Sequence, residues 1–245
     1  MKIVSIIQAR MSSSRLPGKV MADISGHPMI WHVLQRVQAI NRLDGIVLAI
    51  PETPADDCLA EVAQEWGIGC VRGSEYDVLQ RYYRAAEWAK ADAIVRVTAD
   101  CPLFDPGIAN RALMQYLATD VDYVCAGAGM IGATDLGFPR GTDVEIFSFR
   151  VLDQVWRNAK TLYDHEHVTP YIYQSGQFTI GTVKPIGWER WPELRLCVDT
   201  EDDLRMVREI YTKLYREGAK PFTLQAIVSL LKRHPEIITN AGQKE

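Results

Sequence analysis

Residues 45–97 read GIVLAIPETPADDCLAEVAQEWGIGCVRGSEYDVLQRYYRAAEWAKADAIVRV, and this stretch is the most informative about the fold. Short runs rich in β-branched residues alternate in it with longer amphipathic runs. We predict strands at residues 45–50, 69–72 and 93–97, separated by helices at residues 55–66 and 77–90. Strands that alternate with helices indicate βαβ units, and therefore a mainly parallel sheet with helices on both faces.

The alternation continues on both sides of this stretch. We predict, in chain order, a strand at 3–7, a helix at 29–40, a helix at 106–118 and strands at 121–125 and 143–147. Further along we predict helices at 149–159 and 165–174, strands at 178–183 and 194–198, and helices at 201–216 and 223–233. Residues 126–141 are rich in small side chains and predict a long loop. Because no composition break divides the chain, we expect one α/β domain over residues 1–245, with a smaller irregular insertion at about residues 126–185.

Composition excludes several classes of protein. The 245 residues are 47% hydrophobic and 24% charged, which is typical of a globular protein. There are 27 Lys and Arg against 31 Asp and Glu, a net charge of −4. General nucleic-acid or anionic-membrane binders are basic, so we expect neither partner, and any anion site must be local. The five cysteines form no C-x-x-C pair and no apolar run approaches 18 residues, so we expect a soluble protein of the reducing cytoplasm.

The loop after the first predicted strand, QARMSSSRLPGKV at residues 8–20, concentrates groups that bind anions. It carries Arg10, Arg15 and Lys19, together with three consecutive serines. Ligands of open α/β sheets bind beyond the carboxyl ends of strands, where this loop lies. Arginine contacts two phosphate oxygens at once and lysine acts as a point charge. The loop therefore predicts a phosphate site, with a polar surface loop as the alternative. It is not a P-loop, because Ser13 stands where the first glycine belongs.

Two aspartates follow predicted strands at the same edge. Asp100 is a turn residue unless a hard cation such as Mg²⁺ lies between it and a phosphate. The neighbouring Asp105 precedes Pro106 and predicts a helix cap. Thr200 and Asp203 predict a capping box, which leaves Asp199 as a possible second metal carboxylate.

Other polar patterns are less specific. His165 and His167 bracket Glu166, and a spacing of two on a helix points them about 200° apart, so we predict no shared metal. A capping role and a contact with substrate both remain open for this segment. Asp120-x-Asp122 is similar to the D-x-D motif of glycosyltransferases, but it precedes a strand, which favours a solvated start of that strand.

Six blocks occur in the order of a known family. They are IIQARMSSSRLPGKVM (6–21), RGSEYDVLQRYY (72–83), RVTADCPLFDP (96–106), PRGTDVEIF (139–147), YDHEHVTPYI (163–172) and LCVDTEDDL (196–204). Together they resemble the SpsF-like branch of the cytidylyltransferases, named for a spore-coat polysaccharide biosynthesis protein. That branch is related to the synthetases of CMP-activated sialic acid and CMP-activated 3-deoxy-manno-octulosonate.

The resemblance implies a fold and a reaction. The fold is a Rossmann-like nucleotidyltransferase fold. The reaction is Mg²⁺-dependent transfer of CMP from CTP to a sugar acid or similar small anionic acceptor, with release of pyrophosphate, in the synthesis of surface polysaccharide precursors. A cytoplasmic homodimer is implied as well. Two alternatives remain: a GT-A-type glycosyltransferase that uses a nucleotide-sugar, and a non-catalytic nucleotide-binding relative.

The resemblance also assigns roles to residues of this sequence. The implied nucleotide-binding residues are Gln8, Ala9, Arg10, Ser12, Ser13, Arg15, Lys19, Arg72, Gly73 and Ser74. Asp100 and Asp199 are the implied Mg²⁺ ligands, and Arg10, Lys19 and Asp100 the implied catalytic residues. The implied acceptor-binding residues are Arg140, Asp143, Glu145, His165 and Glu166. Nucleotidyl transfer depends mainly on positioning and charge neutralisation, which these residue types can supply.

Overall fold

The computed structural model describes residues 1–127 and 137–239. Its strands are β1 (Ile3–Gln8), β2 (Asp23–Ile24), β3 (His27–Pro28), β4 (Gly45–Pro51), β5 (Gly69–Gly73), β6 (Ala93–Thr98), β7 (Tyr123–Ala126), β8 (Val144–Ser148) and β9 (Ile180–Thr182). Its α-helices are α1 (Met29–Gln38), α2 (Asp57–Glu65), α3 (Val78–Ala89), α4 (Pro106–Ala118), α5 (Phe149–Asn158), α6 (Leu162–His167), α7 (Pro170–Gln174), α8 (Glu201–Leu214), α9 (Leu224–Arg233) and α10 (Glu236–Thr239).

One seven-stranded sheet organises the described residues, in the order β5-β4-β1-β6-β8-β7-β9. β1 pairs in parallel with β4 and β6, and β4 with β5. β8 is antiparallel to both of its neighbours, β6 and β7. The sheet is therefore mainly parallel, which confirms the predicted architecture.

The strand order reverses between β1 and β6. The chain leaves β1 toward β4 on one side and returns later to β6 on the other side. Loops that leave two such strands diverge, and they open a crevice at the carboxyl ends of the strands. Hydrogen bonding between the two strands continues just past their ends, where the Ala99 amide donates to the Gln8 carbonyl at 3.1 Å.

Helices cover both faces of the sheet in two groups. α3 packs against α5 and α6. The second group contains α1, α4, α8 and α9, and the buried Arg36 of α1 ties it together. Its guanidinium donates to the Tyr211 hydroxyl at 3.3 Å, to the Phe104 carbonyl at 3.0 Å and to the Phe222 carbonyl at 2.9 Å.

Two predictions of secondary structure in the second half are wrong. Residues 194–198 form no strand, because their backbone bonds to loops: Arg140 bridges Arg195, and the Val198 amide donates to the Asp100 carbonyl at 2.8 Å. The helix predicted at residues 165–174 is split into α6 and α7. The break falls at Val168, which has φ 71° and ψ −51°, and Pro170 lacks the N–H that would continue the hydrogen bonds of α6. Residues 128–136 of the predicted loop lie outside the described residues.

Asp105 caps two helices at once. Its Oδ1 accepts from the amides of Gly107 at 2.6 Å and Ile108 at 3.2 Å, as predicted for the cap of α4. Its Oδ2 accepts from the Leu224 amide, the first residue of α9, at 2.5 Å. One buried carboxylate thus joins two helices that are distant in sequence.

We expect Asp105→Ala to lower the free energy of unfolding by about 2–4 kcal/mol. The substitution removes a cap and leaves buried amide donors without acceptors. Equilibrium urea unfolding measures the loss. Asp120→Ala, at an exposed position, is the matched control and should change stability by less than about 0.5 kcal/mol. Equal stabilities of the two variants would contradict the double-cap interpretation.

Candidate active site

The crevice at the carboxyl ends of β1 and β6 is a cleft of about 350 Å³. It is lined by Gln8, Ala9, Arg10, Ser13, Ser14, Arg15, Lys19, Val20, Val78, Arg81, Arg96, Thr98, Ala99, Asp100, Glu166, His167 and Asp199. A wider depression of about 560 Å³ lies at the opposite edge, around Gly45 and Gly69 where β4 and β5 begin. Ligands of open α/β sheets bind at the carboxyl edge, so the cleft is the candidate site.

The cationic loop at residues 9–19 is held by hydrogen bonds to the buried carboxylate of Asp56. Its Oδ1 accepts from the Met11 amide at 2.8 Å, and its Oδ2 accepts from the Thr53 hydroxyl at 2.6 Å. The Met11 carbonyl in turn accepts from the amides of Ser13 and Gly18, both at 2.9 Å. These bonds close the loop on itself and direct it over the end of β1.

Lys19 lies between the two aspartates that follow predicted strands. Gly18 precedes it with φ 73°, a conformation that glycine adopts without strain, and a 3₁₀ turn begins at Lys19. The buried Nζ lies 2.9 Å from Asp199 Oδ1 and 3.5 Å from Asp100 Oδ2. It also donates to the Val198 carbonyl at 2.6 Å. One ammonium group therefore joins the loop after β1, the end of β6 and the segment before α8.

Asp199 is the most heavily neutralised carboxylate of the cleft. Arg15 lies 3.0 Å from the Oδ1 atom that Lys19 contacts, and Arg195 donates to Oδ2. Burial raises the pKa of Asp199, but the hydrogen bond and charge of Lys19, with Arg195 and Arg15, outweigh it and set the pKa below its ordinary value. Asp199 is therefore ionised at neutral pH.

A capping box fixes the backbone around Asp199. The Thr200 hydroxyl accepts from the Asp203 amide at 3.2 Å, as predicted for the start of α8. Asp203 Oδ2 accepts from the amides of both Asp199 and Thr200 at 2.9 Å. The local sequence thus places the Asp199 carboxylate at the edge of the cleft.

Arg96 lines the cleft floor and forms an ion pair with the buried Glu145. The ion pair is 2.5 Å long, and Arg96 also donates to the Gln8 side-chain oxygen at 3.0 Å. The other oxygen of the buried Glu145 accepts from the hydroxyls of Tyr123 and Thr169, each at 2.7 Å. Burial raises the pKa of Tyr123 well above its ordinary value, so its hydroxyl stays protonated and donates. Arg96 is therefore oriented by a fully bonded carboxylate.

Glu166 and His167 form a further wall of the cleft. The chain leaves His167 through a tight turn, in which Val168 has φ 71° and ψ −51° and the Thr169 amide donates to the His167 carbonyl at 2.8 Å. These angles are close to those of a classic γ-turn, which is rare and strained. Burial of Val168 and the bond from Thr169 to Glu145 hold the turn in place.

Comparison with known proteins identifies the family. Residues 4–224 match the sequence profile of the cytidylyltransferases. The chain belongs to the cytidylyltransferase family.

Individual members agree with this assignment. The spore coat polysaccharide biosynthesis protein SpsF of Bacillus subtilis is 28% identical over 242 residues, 97% of both chains. A solved cytidylyltransferase from Leptospira borgpetersenii has a TM-score of 0.88 at 28% identity and covers 98% of each chain. The solved CMP:2-keto-3-deoxy-manno-octonic acid synthetase complexed with CTP has a TM-score of 0.65 at 20% identity, covering 87% of this chain and 99% of that one, which shows a shared fold.

The structure brings together part of the set that the cytidylyltransferase resemblance implies. The members that line the cleft are Gln8, Ala9, Arg10, Ser13, Arg15, Lys19, Asp100, Glu166 and Asp199. Among residues 1–127 and 137–239, no group of three or more His, Cys, Asp or Glu side chains is placed to hold a metal. No helix in these ranges is long and apolar enough to cross a membrane.

Other implied nucleotide-binding residues bond elsewhere. Ser12 donates to Glu75 at 2.6 Å. Arg72 donates to Asp57 at 2.7 Å and to the Thr53 carbonyl at 2.6 Å. The Ser74 hydroxyl accepts from the Asp77 amide at 3.1 Å, and the adjacent Gly73 packs against the Arg81 side chain. These residues are not among those that line the cleft, and their role toward a base stays a prediction.

Four implied acceptor-binding residues also lie outside the cleft lining. Glu145 is behind Arg96, and His165 pairs with Asp77 at 3.0 Å. Arg140 is exposed. Asp143 accepts from the Gly141 amide at 3.0 Å. Of the residues assigned to the acceptor, Glu166 alone lines the cleft.

Sequence reasoning missed several lining residues. Arg96 and Thr98 precede Asp100 at spacings of two, so side-chain alternation along β6 was an available signal for them. His167 was noticed in the sequence but not assigned to the site. Arg81 lies in the middle of α3, where no local pattern marks it as a cleft residue.

We expect Glu145→Ala to lower the free energy of unfolding by about 3–5 kcal/mol, because it leaves the Arg96 cation buried without its counter-ion. The double variant Arg96→Met/Glu145→Leu removes both charges. It should be more stable than the single variant by at least about 1 kcal/mol. Guanidinium unfolding curves at neutral pH compare the two. A double variant no more stable than Glu145→Ala would show that the pairing does not carry the effect.

Proposed function

We propose that this protein transfers CMP from CTP to a small anionic acceptor, such as a sugar acid, and releases pyrophosphate. The observation that carries the proposal is the convergence of Arg10, Arg15 and Lys19 with Asp100 and Asp199 in one cleft of a cytidylyltransferase. The cations match a triphosphate, and the carboxylates are placed beside it.

The reaction requires positioning more than covalent help. An acceptor oxygen attacks the α-phosphorus of CTP, and the bond from that phosphorus to the bridging oxygen of pyrophosphate breaks. Negative charge grows on the leaving pyrophosphate, and guanidinium and ammonium groups of the loop at residues 9–19 stabilise it. Hydrogen bonds to the buried Asp56 hold the backbone of this loop in place.

The donor set fits a bound Mg²⁺. Mg²⁺ is held in proteins by one or two carboxylates, with phosphate oxygens and water completing its shell. Asp100 and Asp199 are the residues that would hold it, and its charge would polarise the α-phosphate. Lys19 holds both carboxylates at one edge of the cleft.

The floor and wall of the cleft support an acceptor that carries both a charge and hydroxyl groups. Arg96 donates to anionic or carbonyl oxygens, and Glu166 and His167 are suited to hydroxyls. The name of SpsF favours a precursor of a surface polysaccharide. We further propose a homodimer formed through the insertion at about residues 126–185, and a cytoplasmic reaction, where CTP is available.

The structure gives no support to the glycosyltransferase alternative. Asp122 accepts from the Thr179 amide and hydroxyl and pairs with Arg150 at 2.7 Å. It therefore joins the start of β7 to its neighbours. Asp120 and Asp122 lie away from the cleft lining.

We expect CTP to raise the unfolding temperature by about 5–10 °C in the presence of Mg²⁺. At about 100 times its Kd, a ligand stabilises the native state by about 2.7 kcal/mol, which gives this shift for a chain of this size. Thermal unfolding with CTP, ATP, GTP and UTP, each with and without Mg²⁺, measures it. A shift with UDP-sugars instead, or none with any triphosphate, would contradict the proposal.

We expect Lys19→Met to tighten Mn²⁺ binding to the nucleotide-free protein by at least about tenfold. The substitution removes a positive charge 2.9 Å from Asp199 and 3.5 Å from Asp100, where a divalent cation would bind. Electron paramagnetic resonance of free Mn²⁺ gives the affinity without any turnover.

The control for this gain is Lys19→Met/Asp100→Asn, which should lose it because one of the two carboxylates is gone. Thermal unfolding establishes that both variants are folded. Mn²⁺ affinity that is the same in wild type and in Lys19→Met would contradict the assignment of the two aspartates to the metal.

A further inference from the structure

Arg81 is a cation in the interior of the protein that also lines the cleft. It lies on α3 and is 1% exposed. One of its terminal nitrogens donates to the carbonyls of Ser74 at 2.5 Å and Glu75 at 3.0 Å. The side chain thus runs under the loop that precedes α3 and ends at the cleft.

The Arg81 charge has no carboxylate partner. Within the described ranges, no Asp or Glu oxygen forms an ion pair with it, and its buried Nε has no hydrogen-bond partner. Burial, together with the like charge of Arg10, lowers the pKa of Arg81 to about 10, so it remains protonated at neutral pH. A buried cation without a counter-ion opposes folding, and a bound anion offsets that cost.

Two other buried arginines, Arg96 and Arg36, show that burial alone does not distinguish Arg81. Arg96 also lines the cleft, but Glu145 already neutralises it. Arg36 also has no ion pair with a carboxylate of residues 1–127 or 137–239, but it lies in the second helix group, with its guanidinium 4.4 Å over the Phe222 ring. Arg81 alone of these three combines an uncompensated charge with a place in the cleft.

We propose that Arg81 binds a phosphate group of the nucleotide triphosphate, together with the cationic loop at residues 9–19. This inference rests on the proposed function, in which the cleft holds a nucleoside triphosphate. Arg81 also donates hydrogen bonds to the carbonyls of Ser74 and Glu75. The same side chain therefore contacts both the phosphate site and the loop at residues 72–75.

The test measures binding of two probes by isothermal titration calorimetry: inorganic tripolyphosphate in metal-free buffer, and CTP with Mg²⁺. Arg81→Met should weaken both by about 10- to 100-fold, the range expected for hydrogen bonds to a charged group. Arg81→Lys keeps the charge but not the paired donors, so it should weaken both less. It also keeps the test valid if Arg81→Met does not fold.

Two control variants carry the same substitution. Arg157→Met, at an exposed position of α5 where the side chain bonds to Asp153, should leave both affinities within about twofold. Arg36→Met should lower the unfolding temperature while leaving both affinities unchanged, because its bonds are away from the cleft.

Each outcome decides the proposal. Weaker binding of both probes by the Arg81 variants supports it. Weaker CTP binding with unchanged tripolyphosphate affinity would overturn it, since Arg81 would then only position the loop at residues 72–75. A folded Arg81→Lys variant that binds both probes as wild type does would also overturn it. Wild-type protein that binds neither probe would overturn the proposed function itself, and this inference with it.

Discussion

The contact on which the site depends is the ammonium group of Lys19 between Asp199 and Asp100. It joins three segments far apart in sequence: the loop after β1, the end of β6 and the start of α8. Two carboxylates so close to each other are repulsive without a cation between them. Lys19 supplies that cation, and the capping box at Thr200 fixes the backbone that presents Asp199. These contacts within the chain hold the two carboxylates at one edge of the cleft.

The cations of the cleft differ in how their charge is balanced, and this difference divides the cleft into regions. Lys19 is paired with aspartates, and Arg96 is paired with the buried Glu145. Arg81 has no ionic partner in the part of the chain that the structure describes. A polyanion is therefore attracted most strongly to the side of the cleft near α3 and the cationic loop, whereas the floor at Arg96 is a neutral, oriented hydrogen-bonding surface.

Local sequence predicted the features that depend on local physics. The alternation of strands and helices predicts the parallel sheet. Ligands of open α/β sheets bind at the carboxyl ends of the strands, which predicts that the loop after β1 and Asp100 lie at the site. Contacts between residues distant in sequence could not be predicted. No local pattern indicates that Arg72 bonds to Asp57, or that Ser12 bonds to Glu75. Arg81 reaches the cleft only through the packing of α3. The break at Val168 is not predictable from local pattern, because a β-branched residue disfavours a positive φ and the turn is held by long-range burial and by the bond from Thr169 to Glu145.

A crystal structure of the protein with CTP and Mg²⁺ tests the account most directly. We predict the triphosphate in the cleft, in contact with Arg10, Arg15 and Arg81, with the Lys19 ammonium drawn from Asp100 toward phosphate oxygen. A triphosphate bound in the depression at the opposite edge of the sheet, or a Lys19 that stays between the aspartates without phosphate contact, would contradict the account.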